Sequence, residues 1–216
     1  MIQLGRRGVT LTASTAELDT LRAQYDRNNY LILHKLIEPE LLEKLVKSVE
    51  SARFLPRDHD GIGTELCMAD PAPKTALLFL ASNPAFLRIV EKITGCPRLG
   101  SFSGRVYRMT ATDGHYDSWH SDFCDGRMAA MSLNLTRETY RGGALQMKNR
   151  SADDVLCEIH NTGFGDAVLF RIAKDLVHRV RGVEGEVPKT AFAGWFQEGA
   201  DWLSSLQKTA HATDRP

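Results

Sequence analysis

The sequence predicts an α+β protein, mainly β, in which helices pack on one side of a jelly-roll-like core. Two observations carry this. Residues 1–98 place apolar side chains at helical spacing between capping signals. After residue 98 the apolar runs become short, alternating and bounded by Gly, Asp or Asn. Short strands at that spacing make an antiparallel sandwich or barrel, and amphipathic helices then cover one of its faces. A length of 216 residues suits one domain with a sizeable core. The expected division is helical support and a long loop over 1–98, a β core over 99–197, and a C-terminal tail over 198–216.

Each element has a local reason. Ser14 and Glu17 fit a capping box, and Leu18, Leu21 and Tyr25 follow at helical spacing. Residues 30–33 form a short apolar, strand-like run. Pro39 suits the first turn of a helix with Leu41, Leu42, Leu45, Val46 and Val49 on one face. Residues 55–75, rich in Pro, Asp and Gly, predict a long loop, of the kind that often serves as a lid or binding element. Pro84 opens a helix over 85–94, which Gly95 stops. Strands are predicted over 104–109, 120–123, 129–135, 144–148, 155–159, 167–172, 176–183 and 190–196. Gly142-Gly143 reads as a hairpin turn with no phosphate role, and Asp166 as the cap of a turn before its strand.

Composition narrows the function classes. Apolar content of 43% and charged content of 25% are those of an ordinary soluble domain. With 27 basic and 27 acidic residues the formal charge is zero, so no global field draws in nucleic acid or an anionic membrane. Arg179 and Arg181 form at most a local basic cluster. The N-terminal stretch is too polar for a signal peptide, and the longest apolar run, 76–81, is far short of a membrane span. Cys67, Cys96, Cys124 and Cys157 show no close pairing. They read as reduced, buried, hydrophobe-like thiols of a cytoplasmic protein.

The chemistry concentrates in GHYDSWHSD, residues 114–122, where His-x-Asp occurs twice. A His and a carboxylate two apart on a strand share a face, and together supply two of three metal ligands. A third ligand from another strand would be His160, His178 or His211. Two imidazoles and one carboxylate on one side of an ion leave positions open, the arrangement of non-haem Fe(II) sites that activate dioxygen.

Residues 104–196 resemble the iron(II)/2-oxoglutarate-dependent dioxygenases, in particular the prolyl-hydroxylase-like branch. The segments that carry the likeness are WHSDF with GRMAAMSLNLT, then YRGGALQM, GDAVLFRIAKDLVHRV and PKTAFAGWF. The resemblance implies a double-stranded β-helix (jelly-roll) core and a metal triad of His120, Asp122 and His178. It also implies Fe(II), 2-oxoglutarate and O2 as cofactor and cosubstrates, with ascorbate as a reductant. His115 and Asp117 then become a surface ion pair in an approach loop, because a five-residue offset on a continuous strand would turn them to the opposite face. His160 is left structural, and His211 lies in a polar tail.

In such enzymes a basic residue on a late strand holds the far carboxylate of 2-oxoglutarate, since a buried carboxylate needs a partner. Lys189 stands eleven positions after His178 and takes that role here. By parity it shares a face with Ala191, Ala193 and Trp195, while Thr190, Phe192 and Phe196 face away. Arg181, the rival, points away from the metal. Tyr107 is placed to donate its hydroxyl to the same carboxylate. Trp195 reads as core, and Arg127 as pairing with Asp125 or packing its stem on the sheet.

The expected reaction hydroxylates a C–H bond of an amino-acid or peptidyl side chain, with release of succinate and CO2; Asp122 argues against halogenation. The 57–74 and 110–118 segments are the candidate substrate elements. The partner is a small molecule or peptide; the oligomeric state is not legible. The alternatives are a non-catalytic β-barrel that binds a metal or small molecule, and a zinc hydrolase, which needs an extra carboxylate as general base.

Overall fold

The computed structural model describes residues 1–59, 61–124 and 126–199. The chain opens with a hairpin that the sequence pattern did not announce, β1 (Ile2–Gly5) and β2 (Gly8–Leu11). Helix α1 (Thr15–Asn28) starts at the predicted capping box: the Ser14 hydroxyl accepts the Glu17 N–H, and the Glu17 carboxylate accepts the Ser14 N–H. Next come β3 (Tyr30–Leu33) and α2 (Pro39–Glu50), the latter burying Leu42, Leu45, Val46 and Val49.

The long loop predicted over 55–75 is instead a hairpin, β4 (Phe54–His59) and β5 (Gly63–Met68), followed by α3 (Pro71–Ala81). Pro56 misled the composition argument. It sits in β4, which pairs with β5 alone, and at a sheet edge its missing N–H costs no ladder bond. Helix α4 (Pro84–Thr94) ends at Gly95 in the left-handed conformation, as its sequence signals.

The β half contains β6 (Leu99–Met109), β7 (Tyr116–His120), β8 (Arg127–Asn134), β9 (Arg141–Gly142) and β10 (Leu145–Asn149). It continues with β11 (Val155–Ile159), β12 (Ala167–Arg171), β13 (Leu176–Val180), β14 (Val183–Glu184) and β15 (Lys189–Glu198). The strand predicted over 120–123 is displaced: β7 ends at His120. The Gly142-Gly143 pair is more than a hairpin turn, since Gly142 pairs with Val183 in a small β9–β14 ladder.

The main sheet runs β11-β10-β13-β7-β5-β6-β15-β8-β12-β3, with β4 added on β5. It is antiparallel and curls into the jelly roll; long β15 joins β6 to β8. Two-residue alternation then sorts the side chains. Met131, Leu133, Leu169, Phe192 and Phe196 pack with Phe86 and Val90 of α4 in the layer under the helices. The Phe102 and Phe196 rings meet edge to face at 4.8 Å. The alternate residues turn inward: Ala130, Val168 and Phe170 in one cluster, Tyr107 and Ala191 in another. This inward face surrounds the site.

Candidate metal centre

In the β7–β13 ladder His120 stands directly opposite His178. Residues opposed in this way project from the same face side by side, and the two imidazole centroids are 4.3 Å apart. Asp122 lies just past the end of β7. Its Oδ2 is 3.4 Å from His178 Nε2 and its Oδ1 is 3.9 Å from His120 Nε2. All three ligand atoms fall within 4.8 Å of one another, so the three side chains could hold one metal ion.

Neighbours orient each member. Nδ1 of His120 meets the Ser118 carbonyl at 2.8 Å. A carbonyl only accepts, so Nδ1 carries the proton and Nε2 keeps its lone pair for a metal. Trp195 Nε1–H donates to Asp122 Oδ2 at 2.6 Å, and Arg127 donates to Oδ1 at 3.3 Å. Burial by itself would raise the Asp122 pKa, but the His178 contact, the Trp195 N–H and His120 together hold it at about 2. Asp122 is therefore a carboxylate at any physiological pH.

Two expectations change here. Trp195 is not simply core: it anchors the acid. Arg127 stacks on the Trp195 ring at 3.6 Å and reaches Asp122; Asp125, its expected partner, lies outside the described residues.

The first His-x-Asp is also corrected. His115 is buried, and its Nδ1 accepts the Thr110 N–H at 3.1 Å, so it fixes the approach loop rather than forming a surface ion pair. Asp117 lines the cavity, 3.5 Å from His120 Nδ1. Simple alternation forbids this, but the ladder is irregular. Val180 pairs with Asp117 and His178 with His120, so β7 spends one more residue than β13 over the same length. That bulge reverses the parity and brings Asp117 to the side of His120.

Lys189 occupies the predicted face. It is buried, lines the cavity, and donates to the Gly143 carbonyl at 2.7 Å. Burial lowers its pKa to about 8, opposed by the charge of Asp117. No carboxylate forms an ion pair with it among the described residues. Gly143 sits at φ +62°, and any Cβ there would press on the Lys189 stem. Tyr107 is opposite Ala191 in the β6–β15 register, diagonal to Lys189 on the same face. Burial pushes its hydroxyl pKa well up, so it is a neutral donor. Tyr140, unnoticed in the sequence, lines the same end, its ring centre 5.9 Å from the Lys189 ammonium.

Arg181 is exposed and near Glu158, away from the metal as parity required. His160 is exposed at the cavity mouth, 3.6 Å from Glu158. His211 lies outside the described residues, as does the tail from residue 200 on. Asp166 does cap a turn, though a distant one: it accepts the Lys35 N–H and contacts His34. All four cysteines are free, but none is fully buried as expected: Cys67, Cys96 and Cys157 are half-buried and Cys124 is exposed. Among the described residues no helix is long and apolar enough to cross a membrane.

The triad, Lys189 and the β4–β5 hairpin share one cavity of about 300 Å³. A jelly roll that brings two imidazoles and a carboxylate together beside a buried lysine offers a ligand set that could hold one non-haem metal ion. Residues 104–197 match the model of the 2OG-Fe(II) oxygenase superfamily. The match covers 94 of the 216 residues and takes in the three triad residues and Lys189. No curated protein matches the chain.

Solved structures share the fold. A Pseudomonas putida prolyl-4-hydroxylase is 16% identical, with 85% of this chain and 100% of that chain covered at a TM-score of 0.60. A Trichoplax adhaerens prolyl hydroxylase, solved with a hypoxia-inducible-factor peptide fragment, is 18% identical, with 87% and 94% covered at 0.58. SnoN, an α-ketoglutarate-dependent epimerase of nogalamycin biosynthesis, is 17% identical, with 86% and 84% covered at 0.63.

Proposed function

We propose that His120, Asp122 and His178 hold Fe(II), and that Lys189 and Tyr107 bind the far carboxylate of 2-oxoglutarate. The carrying observation is the convergence of the three ligand atoms within 4.8 Å, in a cavity that also buries a lysine whose hydrogen-bond partner among the described residues is a carbonyl alone. A buried ammonium of that kind suits a carboxylate ligand. Bound Fe(II) supplies dioxygen activation, with 2-oxoglutarate consumed to succinate and CO2.

The chain's own residues do the rest. Ser118 fixes the His120 tautomer. Trp195 and Arg127 hold the Asp122 carboxylate in position. The inward apolar face, with Ala130, Val168 and Phe170, limits water around the reacting centre. The substrate C–H bond belongs to an amino-acid or peptidyl side chain, and hydroxylation is its outcome; the peptide-bound Trichoplax neighbour supports this substrate class. The helices and the jelly roll act as one domain.

A zinc hydrolase would need a carboxylate near the metal. Asp117 is one, but it stands at Nδ1 of His120, the nitrogen away from Asp122, and the hydrolase leaves buried Lys189 without a role. A non-catalytic binding module has no use for the lysine either. The test is anaerobic addition of Fe(II) and 2-oxoglutarate to the purified protein. A weak visible charge-transfer band is expected, followed by succinate once oxygen is admitted. Absence of both would reject the proposal.

A further inference from the structure

The charges that line the cavity identify a feature of the substrate, if the oxygenase site is as proposed above. The cations are Arg57, Arg105, Arg127 and Lys189. Against them stand three carboxylates, Glu65, Asp117 and Asp122. Fe(II) and the 2-oxoglutarate dianion add charges that cancel. With neutral imidazoles, the loaded cavity keeps one positive charge among the described residues, which one anionic group of the substrate would balance.

The position of that charge follows from the pairing. Lys189 and Arg127 are committed to the cosubstrate end and to Asp122. Arg105 donates Nε and one Nη to the two oxygens of Glu65, at 2.5 and 3.0 Å. Arg57 lies opposite Glu65 in the β4–β5 ladder, on the same inward face. Its nearest Nη is 3.9 Å from a Glu65 oxygen that Arg105 already occupies, and it makes no hydrogen bond among the described residues. Two residues on, His59 shares that face, but its Nε2 stands 3.1 Å from the same Glu65 oxygen and is committed to it. The β4–β5 hairpin therefore presents to the cavity one guanidinium fork that makes no hydrogen bond among the described residues.

We infer that Arg57 binds a carboxylate of the prime substrate, so that the substrate is a small carboxylic acid such as a free amino acid rather than an internal peptide residue. The planar fork of Arg matches a carboxylate through two parallel hydrogen bonds. A single negative charge balances the cavity; a phosphate dianion would overshoot it.

The test uses the Fe(II)- and 2-oxoglutarate-loaded enzyme with the protein amino acids, their carboxamides and capped tripeptides as probes. Succinate formed above the no-probe rate is the readout. At least one free acid should stimulate turnover tenfold or more over its amide. Arg57→Gln should erase that preference, and Arg57→Lys should keep part of it. Calorimetry on the Mn(II)- and 2-oxoglutarate-loaded protein should show the same preference in binding, without turnover. Equal stimulation by acid and amide, stimulation by capped peptides alone, or an unchanged preference in Arg57→Gln overturns the inference. So does an enzyme that makes succinate without a probe and responds to no free acid. A protein that makes no succinate under any condition instead removes the oxygenase reading itself.

Discussion

Lys189 is the residue through which pH enters the account. Its pKa in the folded protein is lowered to about 8 from an ordinary 10.5. Above pH 8 the free enzyme loses the ammonium that would pair with 2-oxoglutarate. The KM for 2-oxoglutarate should therefore rise about tenfold per pH unit above that point, with a smaller change in kcat. Lys189→Met should raise the same KM at least tenfold at pH 7 and abolish the pH trend. Folding responds in the opposite sense. The unfolded chain binds the proton more tightly, so stability should increase between pH 8 and 10.5 and be lowest, as far as this group is concerned, below pH 8. Trp195 gives a second test at this scale. Trp195→Phe keeps the ring but removes the N–H that Asp122 accepts at 2.6 Å. Fe(II) affinity should fall about 10- to 100-fold, read by metal titration. Lys189 was legible through side-chain parity along β15, and the second His-x-Asp through its place in the family order of segments, since Asp122 itself lies past the end of β7. It left Trp195 looking like core, since a tryptophan at an inward position is the same letter whether or not its N–H serves an acid.

At the scale of elements the hairpin and the bulge decide the shape of the site. Gly63 of β5 lies between β4 and β7, opposite Asp117, and a Cβ there would strike the Tyr116 carbonyl and the Asp117 Cα. Gly63→Val should force the hairpin away from β7. The expected cost is about 1–3 kcal/mol by denaturant unfolding, with weakened substrate response, because Arg57 and Asp117 move apart. Sequence reasoning failed at both the hairpin and the bulge. Pro56 and Asp58 look like loop residues, yet an edge strand tolerates them. The bulge in β7 has no composition signature. One additional residue there brought Asp117 to the side of His120, against the alternation expected of an unbroken strand. The β1–β2 hairpin escaped because each of its strands is only four residues long.

The whole molecule ties these pieces together through β15. One strand carries Lys189 and Trp195 inward and Phe192 and Phe196 outward to the helices. The helical layer was legible from caps and 3.6-residue spacing, and the β half from its short, punctuated runs. The order of strands was not, since it depends on pairings across the whole chain, such as β3 on β12. The central claim is a single ion held by His120, Asp122 and His178. Anaerobic Fe(II) titration in the presence of 2-oxoglutarate tests it most directly. One ion should bind per chain of the native protein, and none at comparable concentration to a folded His178→Ala variant. Equal iron binding by that variant, or no binding by the native chain, would contradict the account.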